Sequence, residues 1–433
     1  MRAALMTLGC KLNQAETVAM EELLEEGGYE IVPFEEQADV YVVNTCTVTS
    51  KSDYRSRQAI RRATGRNSRA VVVVTGCYAQ MFPHEAARIE GVALVVGNGE
   101  KNRLPELLRV HREEDGPAIH VGPLGPGVPF APAAIAEFTG HTRAFIKVQD
   151  GCNFRCAYCI VRRARGPSRS QPAAEVLDQV RRLVAHGHTE LVLTGINLGR
   201  YGRDLPGGPT LAKLLWQLAE VEGVMRIRIS SVEPGEVADE LIECIAGCPK
   251  VCPHLHIPLQ SGDDDILRAM CRPYDRRYYA ELIDRLVTRV AGIGIGADVM
   301  VGFPGETEDC WRNTCTFVES LPVSYLHVFN YSRRPGSPAA DFSGQVDPEA
   351  RKARSQEMRA LGARKRLAFR RRYMGCVLSV LVESTRDKET RLLKGLTGNY
   401  VQVLLDGEDA LMSRYVRVRL ERIEGGRVYG SLA

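Results

Sequence analysis

Residues 151–159 read Gly151-Cys152-Asn-Phe-Arg-Cys156-Ala-Tyr-Cys159, and this stretch decides how the rest of the chain is interpreted. It places three cysteines at C-x3-C-x2-C spacing, just after a predicted strand that begins at Phe145. Three thiolates on one short loop can hold three irons of a [4Fe–4S] cluster. The fourth iron then keeps an open coordination position, which is typical of a metal that takes part in chemistry.

The alternatives for this loop are a structural zinc site and a set of unliganded thiols. Structural zinc takes four ligands, commonly supplied by paired C-x2-C motifs, and the sequence offers no fourth cysteine or histidine nearby. The loop also follows the carboxyl end of a strand, where the active sites of α/β barrels lie. The spacing and the position therefore favour an iron–sulfur cluster.

Around this loop, residues 144–332 repeat a strand-then-helix pattern six times. The predicted strands start at Phe145, Leu191, Arg226, His254, Ala297 and Leu326. A closed barrel of eight such units usually needs about 250 residues, so this shorter stretch predicts a curved, partial (βα)6 barrel.

The first hundred residues alternate strands and helices and predict a parallel α/β domain. The runs Asp39–Asn44 and Ala70–Thr75 are continuous and rich in β-branched residues, as buried parallel strands are. Cys10, Cys46 and Cys77 each come just after a predicted strand. The carboxyl ends of parallel strands share one edge, where ligand crevices form, so the three thiols could meet at one metal cluster. On position alone, three ordinary buried cysteines remain an alternative.

The loop Cys152–Cys159 resembles the defining motif of radical S-adenosylmethionine (SAM) enzymes. The resemblance implies that the open iron chelates SAM and that one electron cleaves SAM to a 5′-deoxyadenosyl radical, chemistry that no side chain supplies. It assigns no side chain as a general acid or base. Segments at the later strand ends also resemble this family. They make the candidate SAM contacts Tyr158, Thr194, Gly195, Asn197, Ser230, Glu233, Gln260 and Asp298.

The N-terminal segments TLGCKLNQAE, VVNTCTVTSKSDYRSRQAIRRA and TGCYAQ resemble the methylthiotransferases within the radical SAM enzymes. In that family the three cysteines hold an auxiliary [4Fe–4S] cluster whose free iron is associated with the transferred sulfur. The resemblance thus implies that Cys10, Cys46 and Cys77 form a second cluster site. It also implies that one SAM supplies a methyl group while a second yields the radical that takes hydrogen from carbon 2 of an adenine.

The remaining cysteines are interpreted as reduced thiols without metal. The chain has 13 cysteines, no apolar run long enough to span a bilayer, and no secretory signal at its start, so we expect a cytoplasmic protein.

Cys244, Cys248 and Cys252 are spaced C-x3-C-x3-C, but Gly247 and Pro249 would break a helix that aligned them. The other cysteines given a structural role are Cys271, Cys310, Cys315 and Cys376.

The C-terminal end is basic. From Arg351 onwards 19 basic and 9 acidic residues give a net charge of +10, whereas residues 1–350 carry −6. Such asymmetry indicates an anionic partner. The strand-like end resembles the TRAM domain, a small RNA-binding β-barrel, which implies contact with a tRNA anticodon stem-loop. The candidate RNA contacts are Arg370, Arg371, Arg372, Arg391 and Lys394.

The predicted organisation has five parts. They are an auxiliary-cluster domain (1–115), a linker rich in proline and glycine (116–140), the partial barrel (141–350), a basic helical connector (351–373) and the TRAM-like barrel (374–433). The expected class is therefore α/β with a small β-barrel at the C-terminus.

The N-terminal segments are most similar to the methylthiotransferase branch that modifies N6-threonylcarbamoyladenosine next to the tRNA anticodon. Alternatives are the isopentenyladenosine branch, a radical SAM enzyme acting on a protein, and a non-catalytic iron–sulfur RNA-binding or sensor protein. The resemblance implies an electron donor such as a flavodoxin or ferredoxin. The chain departs from the family at Arg162 and Arg163, where a proline and an aromatic residue are usual. We therefore do not carry over the family's SAM or substrate contacts at these two positions.

Overall fold

The computed structural model describes residues 1–111, 116–125, 127–128, 130–132, 135, 138 and 140–433. These residues form an N-terminal unit built on a parallel sheet, a central partial barrel and a small closed β-barrel, which confirms the predicted fold class. In this described part of the chain, no helix has the length and apolar character needed to cross a bilayer.

The N-terminal unit is an α/β domain. Its elements are β1 (Arg2–Thr7), α1 (Lys11–Glu26), β2 (Glu30–Ile31), β3 (Val40–Thr45), α2 (Ser50–Thr64), β4 (Val71–Gly76), α3 (Cys77–Met81), α4 (Pro83–Ala87), β5 (Val92–Val96), α5 (Leu104–Val110) and β6 (Ala118–His120). Its strands pair in parallel in the order β2-β1-β3-β4-β5-β6. The central strands β3 and β4 are almost fully buried because helices cover both faces, which explains their unbroken apolar sequences.

The predicted linker from residue 116 needs correction at its start. Ala118–His120 forms β6 and pairs with β5, so the N-terminal sheet continues beyond residue 115. A three-residue edge strand inside a segment rich in proline and glycine has too short an apolar pattern to be recognised from sequence. Several other residues of the predicted linker lie outside the described part of the chain.

The central unit holds most of the helices. Its elements are β7 (Ala144–Lys147), β8 (Gln149–Asp150), α6 (Val161–Arg165), β9 (Arg169–Ser170), α7 (Ala173–Ala185), β10 (Glu190–Thr194), α8 (Leu211–Ala219), β11 (Arg226–Ile229), α9 (Asp239–Gly247), β12 (His254–His256), α10 (Asp264–Ala269), α11 (Arg276–Arg289), β13 (Gly294–Val301), α12 (Glu308–Ser320) and β14 (Tyr325–Asn330). All six predicted strands are present.

These strands form an open, partial barrel. The sets β7-β10-β11 and β12-β13-β14 are parallel sheets, and bridges Ile227–Val251 and Ser231–His256 connect β11 to the region of β12. Strands therefore follow one another in chain order, and β14 is an edge strand among the described residues. Outward-facing side chains pack against the helices, so polar residues remain at the strand ends and in the interior.

Helix α1 joins the N-terminal unit to the barrel. Ala15, Val18 and Ala19 pack in the core of the barrel, whereas Met20 and Leu24 belong to the core of the N-terminal sheet. A helix that is apolar on two sides is buried on two sides. This arrangement brings the start of α1, and Cys10 before it, against the barrel.

The C-terminal unit consists of α13 (Pro348–Arg371) and a closed barrel of β15 (Val377–Arg386), β16 (Leu393–Thr397), β17 (Gln402–Leu405), β18 (Tyr415–Glu424) and β19 (Arg427–Leu432). Asp347 caps α13 by accepting hydrogen bonds from two backbone N–H groups, and Pro348 occupies its first turn. The buried Arg228 of β11 donates to the carbonyl oxygens of Thr397 and Gly398, which fixes this small barrel to the central one.

Candidate functional site: two cysteine trios

The cysteine loop of the barrel is held in place by backbone hydrogen bonds. Gly151 has a φ of +73°, and a Cβ there would lie 2.0 Å from the carbonyl oxygen of Pro167, so glycine is required. The Cys152 N–H donates to the Gly166 oxygen over 3.0 Å. Backbone N–H groups two residues onward point at the sulfurs of Cys152 and Cys159, each over 3.4 Å. The loop thus presents sulfurs that already receive hydrogen bonds.

Arg272 binds the third cysteine of this loop. Its Nη1 donates to the Cys156 Sγ over 3.1 Å, Nη2 pairs with Glu233, and Nε donates to the Tyr274 hydroxyl over 3.0 Å. Burial raises the pKa of Cys156, and the Arg272 charge opposes that rise. Arg272 could not be predicted from the sequence, because no local pattern marks a residue that reaches the loop through tertiary contact.

The N-terminal trio lies at one edge of the N-terminal sheet. Cys10 precedes α1 just after β1, Cys46 follows β3 and Cys77 follows β4, and these three strands are neighbours. The backbone before Cys10 packs closely against Cys46, since a Cβ on Gly9 would lie 3.1 Å from the Cys46 Sγ. Gly76 must also be glycine, because it has a φ of +91° and its Cβ would lie 2.4 Å from the Thr45 oxygen.

Two thiols of this trio, Cys46 and Cys10, have a raised pKa. The pKa of Cys46 is raised to about 11, mainly by burial and to a smaller extent by the neighbouring Cys77 and Cys10, while a backbone hydrogen bond opposes the rise. The pKa of Cys10 is also raised, first by the surrounding protein and then by Cys77, while Arg165 lowers it. The neighbouring ends of β1, β3 and β4 bring the three thiols close enough to repel one another when they ionise.

Arg165 connects the two cysteine sites. It lies at the end of α6, shortly after Cys159, and its Nε donates to the Cys77 Sγ over 3.3 Å. Its Nη2 donates to the Asn13 side chain over 2.5 Å, and its Nη1 pairs with Glu16 over 2.5 Å. The Arg165 side chain is fully buried. The segment that ends the barrel's cysteine loop therefore lies directly against the N-terminal trio.

A buried charge network surrounds Arg165. Glu16 pairs with Lys101 and with Lys147, and Asp150 pairs with Lys147 over 2.9 Å and with Arg165 over 3.5 Å. Burial alone would raise the pKa of Glu16, but the three cations outweigh it and hold that pKa well below the usual range. These residues come from both units, so the ionised Glu16 holds them together at the cysteine edge. No sequence pattern assigned a role to Arg165, because its partners come from distant segments of the chain.

The predicted SAM contacts lie near the carboxyl ends of the barrel strands. Thr194 ends β10, Ser230 directly follows β11, and Asp298 lies on β13. Asn197 is buried, and neither its side-chain oxygen nor its nitrogen has a hydrogen-bond partner among the described residues. The buried Ser230 hydroxyl also lacks one there.

The remaining candidates are placed differently from one another. Glu233 is held by Arg272, whereas Gln260 has a positive φ of 69° that turns the chain after β12. Gly195 leaves no room for a side chain, since a Cβ would lie 2.8 Å from the Gln149 Oε1. Asp298 accepts a hydrogen bond from His256 over 2.7 Å; burial works against its ionised form, but His256 and His327 lower its pKa to about 2.

A cavity of about 190 Å³ lies between the N-terminal unit and the barrel. Val48 and Thr49 line it from one side, and Cys159 with Tyr158 from the other. Its remaining lining comes from Ile160, Val161, Gln260, Asp298, Met300, Phe329, Asn330, Tyr331 and Ser332. Two of the predicted SAM-contact residues, one from the β12–α10 loop and one from β13, thus share a cavity with the cysteine loop.

The donor set suits clusters better than single ions. A zinc ion with sulfur ligands at about 2.3 Å requires the sulfurs to lie about 4 Å apart. Within the described residues, the only metal-type trio whose ligand atoms all lie within 4.8 Å is His256, Asp298 and His327, so neither cysteine trio is that compact. Wider-set sulfurs, N–H donors to sulfur and unpartnered polar groups at the strand ends fit a [4Fe–4S] cluster and a polar cofactor such as SAM.

The other cysteines differ in burial and surroundings. Cys244 and Cys248 are buried in the apolar core of the barrel, and α9 ends at Gly247. Cys271 and Cys376 are exposed.

The unusual Arg162 and Arg163 are exposed on α6, and Arg163 donates to the Gly336 oxygen over 3.2 Å. This contact points Arg163 toward the segment after β14.

The predicted RNA contacts are spread over the C-terminal unit. Arg371 and Arg372 are exposed at the end of α13, whereas Arg370 donates to the Gly426 oxygen. Arg391 lies in a turn with a φ of 62°, and Lys394 on β16 pairs with Glu383 over 3.6 Å. The five predicted RNA contacts therefore lie on different elements: the end of α13, a turn and β16.

Comparison with known proteins matches two families in turn. Residues 2–97 match the Uncharacterized protein family UPF0004, and residues 146–318 match the Radical SAM superfamily. A solved structure of the radical SAM methyltransferase TsrM from Kitasatospora setae shares the fold, with a TM-score of 0.58, 17% identity and coverage of 78% of this chain and 74% of that one.

Curated relatives match over nearly the whole length. Threonylcarbamoyladenosine tRNA methylthiotransferase MtaB of Bacillus subtilis (strain 168) is 41% identical over 96% of this chain and 93% of its own. MtaB of Aquifex aeolicus is 39% identical over 94% and 97%. The tRNA-2-methylthio-N(6)-dimethylallyladenosine synthase of Moorella thermoacetica is 35% identical over 99% and 97%.

The partial barrel, its cysteine loop and these matches define a radical SAM enzyme that carries a second cysteine site on an N-terminal α/β domain. More narrowly, the chain belongs to the radical SAM methylthiotransferase family. Its cofactors are accordingly SAM and [4Fe–4S] clusters.

Proposed function

We propose that this enzyme transfers a methylthio group to carbon 2 of N6-threonylcarbamoyladenosine, next to the anticodon of tRNA. The observation that carries the proposal is the contact between Arg165, at the end of the barrel's cysteine loop, and the Cys77 sulfur. A transfer that uses a radical from one site and sulfur from another needs both sites beside one substrate. The 41% and 39% identities to MtaB relatives support this particular adenosine derivative.

Two sets of residues would hold the cofactors. Cys152, Cys156 and Cys159 would hold the cluster that binds SAM, with Asn197 and Ser230 as hydrogen-bonding partners for SAM itself. Cys10, Cys46 and Cys77 would hold the auxiliary cluster. When bound, these groups supply the 5′-deoxyadenosyl radical and the methylthio group.

The protein's own residues position and enclose these groups. Arg272 and Arg165 each direct an N–H at one cysteine sulfur, and hydrogen bonds to cluster sulfurs tune reduction potential. Val48 and Thr49 of the N-terminal unit close one side of the cavity that Cys159 lines, which limits access of water to a radical.

The substrate partner in this proposal is the anticodon stem-loop, and an electron donor of the flavodoxin or ferredoxin type supplies the reducing electron. The net charge of +10 from Arg351 onwards supports binding of the RNA backbone. A loop base leaves its stack at lower cost than a duplex base, so the target adenosine can reach an enclosed cavity.

A second candidate is transfer to dimethylallyladenosine, because the Moorella thermoacetica relative is 35% identical over 99% of this chain. The two substrates differ in charge, since the threonylcarbamoyl group carries a carboxylate and the dimethylallyl group is apolar.

The test uses the anaerobically reconstituted enzyme with SAM, dithionite and two purified tRNAs that carry one modification each. Mass spectrometry of digested nucleosides should show the 2-methylthio product from the threonylcarbamoyl tRNA and little or none from the dimethylallyl tRNA. The opposite preference would overturn the substrate assignment, and 5′-deoxyadenosine without any methylthio product would overturn the transfer itself.

A further inference from the structure

Four aromatic rings form a continuous row from the C-terminal barrel to the cavity beside Cys159. We call Tyr400, Tyr325, His327 and Phe329 the aromatic row. Successive ring centroids lie 5.6, 5.3 and 6.4 Å apart. Tyr325, His327 and Phe329 alternate along β14, so their side chains share one face of this edge strand.

The row is open to solvent where an ordinary core would be closed. The His327 side chain is 54% exposed, and Phe329 is 45% exposed. Single exposed apolar residues are common on proteins. Here, however, the exposed rings continue a line that starts on another unit, and β14 leaves its outer edge unpaired among the described residues. Packing within the protein therefore does not account for the exposed end of the row.

The first part of the row lines a groove of about 320 Å³ between the barrel and the C-terminal unit. Tyr400, Tyr325 and His327 are in its wall, together with Arg366 and Arg370. Those two arginines are four residues apart on α13, so they lie on the same side of that helix. The Tyr400 and Tyr325 rings are stacked, with an interplanar angle of 23°, whereas His327 is tilted by 52° from Tyr325. A groove that combines aromatic rings with arginines on one side matches the chemistry of single-stranded nucleic acid.

The last part of the row lines the cavity that contains Cys159. Phe329 and Asn330 are in its wall, along with Asp298, which also lies 3.5 Å from the His327 Nδ1. Groove and cavity thus adjoin along β14. From Tyr325 to Phe329 the strand extends about 13 Å, which is room for about four nucleotides at a stacked spacing of about 3.4 Å.

We infer that the aromatic row is a stacking track for the nucleotides that flank the target adenosine. This inference rests on the proposed function and adds the path of the RNA. Bases next to the target stack on Phe329 and His327, while Arg366 and Arg370 neutralise the phosphates of nucleotides closer to Tyr400. The track delivers the target to the cavity and requires a single-stranded loop, because paired bases present no free faces to the rings.

The test measures stacking and affinity together. An anticodon stem-loop RNA carries 2-aminopurine at the loop position beside the target adenosine, and its fluorescence is titrated with the reconstituted enzyme. We expect quenching with wild type, and restored fluorescence with Phe329→Leu. Loss of one stacked base should weaken binding about tenfold in Phe329→Leu and in His327→Leu. Iron content and thermal unfolding of each variant verify that it has folded.

The matched control is Trp216→Leu on α8, because Trp216 is 44% exposed but lies outside the row and both cavities. It should bind the RNA as wild type does. If the two row variants match Trp216→Leu in quenching and affinity, the track is wrong even if methylthio product forms. If Phe329→Leu abolishes the quenching that wild type shows, but the wild-type enzyme forms no methylthio product, the track stands and the proposed function fails.

Discussion

The two cysteine trios reach similar chemistry by opposite routes. Cys152, Cys156 and Cys159 share one loop, and backbone N–H groups of that same loop bind two of their sulfurs. Cys10, Cys46 and Cys77 come from three strand ends, so their meeting depends on the whole parallel sheet. Each trio nevertheless has one buried arginine on one sulfur, Arg272 at the loop and Arg165 at the sheet edge.

The difference lies in how much of the fold each site needs. Arg272 interacts with one partly exposed carboxylate, whereas Arg165 belongs to a network of five buried charges drawn from two units. The loop site is therefore local, and the sheet-edge site is also the interface between domains. Damage to the second should disturb both the cluster and the docking of the units.

The largest expected effect separates the two sites by function. Changing Cys152, Cys156 and Cys159 to Ala should abolish 5′-deoxyadenosine formation, because no cluster then reduces SAM. Changing Cys10, Cys46 and Cys77 to Ala should retain 5′-deoxyadenosine but abolish the methylthio nucleoside. Both products are measured in one chromatographic run. Loss of 5′-deoxyadenosine in the N-terminal variant would mean that the two sites do not act separately.

The two arginines should differ in their contribution to stability. Arg165→Met leaves Glu16 and Asp150 short of a buried partner, so we expect the free energy of unfolding to fall by about 3–5 kcal/mol. Arg272→Met leaves only the more exposed Glu233, and the loss should be about 1.5–3 kcal/mol. Anaerobic urea unfolding gives both values. Equal losses would contradict the distinction between a local and an interfacial site.

A second contact between the N-terminal unit and the barrel tests the interface without involving the cysteines. Asp53 of α2 accepts a hydrogen bond from Arg334 over 2.6 Å and one from the Thr47 hydroxyl over 2.5 Å. Asp53→Asn should cost about 1.5–3 kcal/mol, since it weakens a charged hydrogen bond in a largely buried place. The control Asp178→Asn removes a surface pair with Arg181 and should change the urea midpoint very little. Equal midpoints would show that the contact does not hold the units.

The smallest expected effect lies outside both cysteine sites. Arg371→Gln removes one exposed charge at the end of α13 and should weaken RNA binding a few-fold at low salt. If Arg371 contacts a phosphate, the slope of log affinity against log salt should fall by about 0.7. Fluorescence anisotropy over a salt series measures this slope. An unchanged slope would remove Arg371 from the RNA surface, and changed iron content would show a wider disturbance.

Sequence predicted most of the fold because apolar runs mark buried parallel strands. It missed short strands such as β2 and β6, whose apolar patterns are too brief to recognise, and it also left the apolar run of β5 unassigned. The loop cysteines could be recognised from their spacing alone. The N-terminal trio was expected at one sheet edge because each cysteine follows a predicted strand, and the family resemblance favoured a cluster over ordinary buried cysteines. Arg272 and Asn13 were not predictable, because their contacts with the cysteine sites arise only when distant segments pack together.

The central claim is that the chain holds two [4Fe–4S] clusters on two separate cysteine trios. Iron and acid-labile sulfide are counted after identical anaerobic reconstitution of wild type and the two triple alanine variants. We expect about eight irons per chain for wild type and about four for each variant. If Cys10, Cys46 and Cys77 are all replaced by Ala and the iron content stays at the wild-type level, the second cluster site does not exist.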